Sequence, residues 1–172
     1  MAEDIKAMKT RGAGEIAKSA VEALLITAED STATNTQQFV DEIEDAARIM
    51  MRTRPTAVSL PNGIRYVIHR VREGSLSGQT LETLKETSIK ACHEFIENSR
   101  TAIEKIGEIG ARRILDGDVL MTHCDSSAAL KVIETAWKKG KKFKVYVTET
   151  RPRFQGRITV NRLGQMGIPV IL

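Results

Sequence analysis

At Val119-Leu120-Met121-Thr122-His123-Cys124-Asp125-Ser126-Ser127 the hydrophobic period of the chain changes, and the architecture follows from that change. Val119 to Thr122 is a short apolar run just after the turn pair Asp116-Gly117, the pattern of a strand. Residues 126–139 then place Ala129, Val132, Ile133, Ala136 and Trp137 at helical spacing until Gly140 stops them. Phe143-Lys144-Val145-Tyr146-Val147 reads as a second strand, residues 158–166 as a weaker helix ending at Gly167, and Ile168-Pro169-Val170-Ile171-Leu172 as the start of a third strand. The order β-α-β-α-β predicts right-handed crossovers, a parallel sheet with helices on both faces, and the first half of a Rossmann-like α/β domain. Three parallel strands with the last at the final residue leave apolar faces and an edge uncovered, so the chain reads as the front portion of a longer protein.

Upstream the period is helical. Apolar residues recur at three and four through Ile16, Ala20, Leu24, Ala28, then Phe39, Ile43, Ala46, Met50, then Ile64, Ile68, Val71. Thr34 and Gln37 have the form of a capping box opening the second of these helices, and Pro55 ends it at Arg54 or shortly before. A longer run, Leu81, Leu84, Ser88, Cys92, Phe95, Ser99, Ala102, Ile106 and Ile109, keeps the spacing until Asp116-Gly117. The domain boundary is placed there: a helical domain over 1–116 and an incomplete Rossmann-like domain over 117–172. Cys92 lies on the apolar stripe and reads as a small buried hydrophobe.

With 172 residues, 41% hydrophobic and 28% charged, the chain buries a real core, and at 4% aromatic that core is built from Ile, Leu, Val, Ala and Met. Disorder and collagen are excluded. No run of about 18 apolar residues exists to span a bilayer, and Met1-Ala2-Glu3-Asp4-Ile5-Lys6 begins no signal peptide, so a cytoplasmic protein without a membrane partner is expected. Cys92 and Cys124 are too few for a disulfide scaffold and lack zinc spacing, so no metal is expected. Charge is polarised: residues 137–162 hold nine basic residues against Glu149 alone, whereas the remainder has 17 basic and 21 acidic. That asymmetry points to an anionic partner or to a solvated basic face. Nucleic acid is the weaker fit, because aromatics for stacking are few and no recognition motif is present.

Ligands of open α/β sheets sit beyond the carboxyl ends of the strands, which selects the loop from Thr122 to Ser127. Cys124 precedes a helix whose opening N–H groups and macrodipole stabilise an anion, so it reads as a base or nucleophile, or as a buried loop thiol. His123 has no second ligand at metal spacing and reads as a hydrogen-bonded structural imidazole. Asp125, Ser126 and Ser127 read as helix caps, and the amides of Ser127 and Ala128 suit a phosphate or a hydroxyl. The next carboxyl-end loop, Glu149 to Arg157, is rich in guanidinium groups that present planar forks to phosphate. Arg11, in Arg11-Gly12-Ala13-Gly14, and Arg54, before Pro55, invite the same reading.

Lys9-Thr10-Arg11-Gly12-Ala13-Gly14, Arg54-Pro55-Thr56-Ala57-Val58, Met121-Thr122-His123-Cys124 and Glu149-Thr150-Arg151-Pro152 to Gln155-Gly156, in that order, resemble the superfamily of sugar-phosphate isomerases and translation initiation factor 2B regulatory subunits. Within it the chain is most similar to the archaeal isomerases of ribose 1,5-bisphosphate. The resemblance implies an aldose-to-ketose isomerisation to ribulose 1,5-bisphosphate in nucleotide salvage, without a cofactor, in a homo-oligomer assembled largely through the Rossmann-like half. It makes Cys124 the catalytic thiol, Arg11, Gly12, Ala13, Gly14 and Arg54 contacts to substrate phosphate, Ser126, Ser127 and Ala128 the loop cradling substrate, and Gln155 a substrate contact. It further implies that the helical domain closes over the mouth of the sheet. Family members continue past residue 172 with an acidic catalytic residue and an Asn-Lys pair, so the 172 residues alone are expected to be inactive. Asp125 stands where relatives have His or Asn, adding a negative charge near the thiol. The competing reading is a non-catalytic regulatory subunit related to initiation factor 2B; such a subunit has no chemical need for Thr-His-Cys or Arg-Gly-Ala-Gly.

Overall fold

The computed structural model describes residues 1–172 and orders them as α1 (Ala2–Lys6), α2 (Ala13–Glu29), α3 (Thr36–Met51), α4 (Ser59–Leu76), α5 (Leu81–Ala111), β1 (Val119–His123), α6 (Ser127–Lys138), β2 (Lys144–Thr148), α7 (Gln155–Gln165) and β3 (Val170–Ile171). They form two compact units, Met1–Ser99 and Arg100–Leu172. No helix is long and apolar enough to cross a membrane.

In the first unit the three-four stripes converge on one core. Ile16, Ala20, Val21 and Leu24 of α2, Phe39 and Ile43 of α3, and Leu60, Ile64, Val67 and Val71 of α4 are buried together, and Leu84 and Cys92 join them from α5. Each fully buried Leu, Ile or Phe contributes about 1.5–3 kcal/mol relative to exposure. The short α1, which the period did not reveal, plugs the same core with Ile5. Gly63 lets α4 approach closely: a Cβ there would lie 2.9 Å from Phe95 Cζ and 3.1 Å from Val21 Cγ2. The capping box of α3 is displaced by one residue from the expected Thr34 and Gln37. Asn35 is the cap, its side chain accepting from Gln38 N at 2.9 Å, while Gln38 Oε1 accepts from Thr34 N at 3.1 Å. Asn is at least as good a cap as Thr, so two adjacent candidates competed and the better-placed one won.

The second unit is a parallel sheet in the order β1-β2-β3, with Leu120 opposite Val145, Thr122 opposite Val147, and Val145 opposite Val170. The expectation of helices on both faces is not met. Both α6, through Leu130, Ile133 and Ala136, and α7, through Val160 and Leu163, pack with Leu120, Val145, Val147 and Val170 in one core. Successive crossovers of one hand that advance the sheet in one direction carry both helices to the same side. On the opposite face Val119, Met121, Tyr146 and Ile171 are exposed, Met121 to 76%.

The compact units divide inside α5, whereas the period changes at 116/117, because the tail of α5 belongs by packing to α6. Gly107 and Gly110 make that contact: a Cβ on Gly110 would lie 2.5 Å from Val132 Cγ2, and one on Gly107 would lie 2.7 Å from Lys131 Cγ. Lys131 pairs with Glu104 at 2.6 Å and Lys139 with Glu108 at 2.5 Å across the same contact. Lys141 caps the helix end by donating to the carbonyls of Ala111 and Ile114.

Candidate active site

In the α/β unit the candidate residues gather where β1 and β2 end. Cys124 leaves β1 with φ 65°, a left-handed conformation that costs a non-glycine residue about 1–3 kcal/mol. Its carbonyl accepts a hydrogen bond at 2.8 Å from the hydroxyl of Thr159, a side chain buried on α7. The turn aims the half-buried thiol at α7, where Sγ donates to Gln155 Oε1 at 2.6 Å and lies 3.7 Å from Thr150 Oγ1. Ser126 is the cap of α6, accepting from Ala129 N at 3.3 Å. Ser127 and Ala128 open that helix, so their amides have no intrahelical acceptor and face a would-be anion. His123 Nδ1 is hydrogen-bonded with Thr148 Oγ1 at 2.6 Å across the strand pair.

Helix α7 begins at Gln155, three residues before the apolar spacing announces it, with Phe154 left-handed at φ 51°. The early start puts Gln155 and Thr159 one turn apart on the same face, both against Cys124. Thr159, Thr150 and Glu149 were missed as site residues. The available signal was the i, i+4 spacing of Gln155 and Thr159, legible only once the helix start is known.

In the helical unit Arg11 lies in an exposed loop and donates through Nε to Met8 O at 2.9 Å. Gly12, at φ 84°, is the cap of α2 and offers no side chain, so the amides of Ala13 and Gly14 are open. The start of α4 is likewise without a side-chain cap, and Ser59 Oγ donates to Ala13 O at 2.7 Å. That bond joins the 11–14 loop to the turn carrying half-buried Arg54. Two uncapped helix starts and two guanidinium groups make a favourable setting for phosphate. The candidate residues fall by unit: Arg11, Gly12, Ala13, Gly14 and Arg54 in Met1–Ser99, and Cys124, Ser126, Ser127, Ala128 and Gln155 in Arg100–Leu172.

Much of the basic excess over 137–162 is spoken for locally. Lys139 and Lys141 serve α5, Arg162 pairs with Glu134 at 3.0 Å, Lys142 stands 4.8 Å over the Trp137 ring, and Arg157 approaches Glu149 Oε2 at 3.4 Å. Arg151 and Arg153, exposed in the loop that carries Gln155, make no such contact and stay available to an anion. Cys92 is of the opposite kind to Cys124: fully buried, its thiol is pushed up to about 12 by burial and secondarily by the Glu29 carboxylate.

A parallel α/β sheet with a thiol at its carboxyl end, following a helical unit with paired helix starts, belongs to a defined class: the chain is a member of the initiation factor 2 subunit family, whose profile matches residues 9–172. It is 57% identical, over 99% of its length, to ribose 1,5-bisphosphate isomerase of Thermococcus kodakarensis, and 34% identical, over its full length, to methylthioribose-1-phosphate isomerase 1 of Pseudothermotoga lettingae. The chain spans about half the length of the curated relatives it matches, 53% and 51% of these two. Among solved structures it superposes on translation initiation factor eIF-2B of Pyrococcus horikoshii with a TM-score of 0.82 at 28% identity, covering 99% of this chain and 56% of that one. It superposes on 5-methylthioribose 1-phosphate isomerase of the same organism with a TM-score of 0.80 at 28% identity, covering 98% and 49%. The resemblance read from the four motifs and the Rossmann-like α/β fold are thus both met.

Proposed function

We propose that the complete protein isomerises ribose 1,5-bisphosphate to ribulose 1,5-bisphosphate, with Cys124 as the base that removes the C2 proton. The observation that carries this reading is the Cys124 thiol itself, half-buried at the carboxyl end of β1 and bonded to Gln155 at 2.6 Å, in a chain 57% identical to an isomerase of that name. Because C1 bears a phosphate, the sugar ring cannot open by itself. An acid must protonate the ring oxygen as its bond to C1 breaks, Cys124 takes the proton from C2 to give an enol, and return of that proton to C1, as the O2 hydroxyl gives up its own proton to restore the acid, leaves the ketone at C2. The acid is, by the resemblance, a carboxylate outside the 172 residues. Arg11, Arg54 and the amides of Gly12, Ala13 and Gly14 hold substrate phosphate, the 126–128 turn cradles the sugar, and Gln155 contacts the sugar from beside the thiol. The protein works as a cytoplasmic homo-oligomer, a reading that rests on the family resemblance.

Cys124→Ser in the full-length protein tests the proposal. Turnover should fall by about 10²–10⁴-fold with KM within a few-fold, as expected for loss of a positioned base. A serine variant that turns over within a few-fold of the parent overturns it. The second reading, a non-catalytic regulatory subunit, draws on the likeness to eIF-2B structures; it requires no turnover of any sugar phosphate and the same behaviour with Ser at 124.

A further inference from the structure

We infer that Glu149 is the positioning residue of the Cys124 thiol, acting through the loop that carries Thr150 and Gln155; the inference rests on the reading of Cys124 as the base. Glu149 follows β2 directly. Its Oε1 accepts from Thr150 N at 2.7 Å and from Gly156 N at 2.9 Å, so a single oxygen holds both ends of the 150–156 loop. Phe154 N donates to Thr150 O at 2.7 Å inside that clamp. The clamp closes only because residue 156 is glycine: a Cβ there would lie 2.8 Å from Thr148 O and 3.0 Å from Glu149 Oε1. Thr150 carries one clamped amide and Gln155 directly precedes the other, and these are the two side chains that reach Cys124 Sγ, at 3.7 and 2.6 Å.

The arrangement has a cost that packing alone does not explain. Glu149 Oε2 is buried and takes no hydrogen bond, with Arg157 Nε 3.4 Å away as its ion-pair partner. The chemistry of Gln155 supplies a reason to hold it so firmly. A primary amide has an acceptor end and a donor end: Oε1 receives the S–H of a thiol, and after a flip Nε2 donates to a thiolate. One side chain therefore serves Cys124 before and after it takes a proton, provided the backbone beneath it does not drift. Thr159 fixes the Cys124 backbone, and Glu149 fixes its partner.

Three variants separate reach from charge. Glu149→Asp keeps the carboxylate but is one methylene too short to span both amides; Glu149→Gln loses the charge and keeps a carbonyl oxygen at the right distance; Gln155→Ala removes the partner itself. The first measurement is the rate of Cys124 alkylation by iodoacetamide from neutral to alkaline pH in the intact chain, with folding followed by circular dichroism. Cys92, buried and with its thiol at about 12, adds no competing signal. Glu149→Asp should displace the pH profile as Gln155→Ala does, the two together should do no more than either, and Glu149→Gln should stay within about two-fold of the parent. In the full-length enzyme Glu149→Asp should lower kcat by up to about 10²-fold with KM little changed, as for a misplaced catalytic group. A parental alkylation profile in Glu149→Asp overturns the inference, as does Glu149→Gln falling with it, since loss of charge would then be the cause. Alkylation does not depend on turnover, so failure of the isomerase reading with Cys124→Ser leaves this result distinguishable.

Discussion

Substituting alanine at two glycines of the same helix should move stability in opposite directions, and the geometry says by how much. At Gly156 an added Cβ meets Thr148 O at 2.8 Å, Glu149 Oε1 at 3.0 Å and Glu149 Cα at 3.1 Å, two of them backbone atoms of the β2 end. Ordinary contacts begin near about 3.5 Å, so the start of α7 must retreat by roughly half an ångström or more. Overpacking of this kind costs about 1–3 kcal/mol, against about 0.5–1 kcal/mol gained when alanine replaces glycine in a helix, for a net loss of up to about 2.5 kcal/mol. At Gly164, near the other end of α7, nothing lies within 4 Å of the added carbon. Only the propensity term remains there, a gain of up to about 0.5–1 kcal/mol. Urea unfolding of the chain reads the pair: with a slope of about 1–3 kcal/mol per molar, the two midpoints should separate by about 1 M. Gly156→Ala should also speed alkylation of Cys124 by loosening Gln155. If Gly156→Ala is as stable as Gly164→Ala, the close approach of α7 to the end of β2 is wrong, and with it the clamp on the loop.

Stability of the helical unit should fall on the alkaline side through Cys92. Its folded thiol sits at about 12 against an ordinary 9.0, so this contribution is complete below about pH 9 and lost as pH rises toward 12. The parent should lose up to about 1.4 kcal/mol per pH unit in that window relative to Cys92→Ala, read by denaturation at stepped pH; parallel curves would refute the burial argument. On the proposed isomerase reading, Arg54→Ala in the full-length protein should raise KM for ribose 1,5-bisphosphate sharply, and Arg54→Lys should recover only part, because lysine keeps the charge and loses the fork; an unchanged KM removes Arg54 from the proposed phosphate contacts. Assayed as the 172 residues alone, the chain should be catalytically silent and should self-associate through the exposed Val119, Met121, Tyr146 and Ile171, as sedimentation at rising concentration would show. Turnover by these residues alone would refute the missing acid, and a monomer at all concentrations would refute the sticky face.

The longer helices, the three strands, their succession along the chain and the parallel class of the sheet were legible in the residues, because burial of one face imposes a period of about 3.6 or 2 that each segment carries in itself, whereas α1 was too short to show one. So was the position of Cys124 at a strand end, since strand ends are local features of the pattern. The placement of the helices on the sheet was not. Whether α6 and α7 share a side depends on which way the sheet grows, and no residue records that before the strands pair. Nor does the spacing of α5 show that its tail packs on α6; Gly107 and Gly110 look like weak points of a helix until Val132 and Lys131 lie against them. The same holds at the site. Cys124 stood out from its position, but its left-handed backbone, the Gln155 amide on its thiol and the Thr159 hydroxyl on its carbonyl join residues 31 and 35 positions apart. Contacts at that separation exist only after the chain has closed its loops, so tertiary structure alone decided how the thiol is held, while the sequence already determined that a thiol stands at the end of β1.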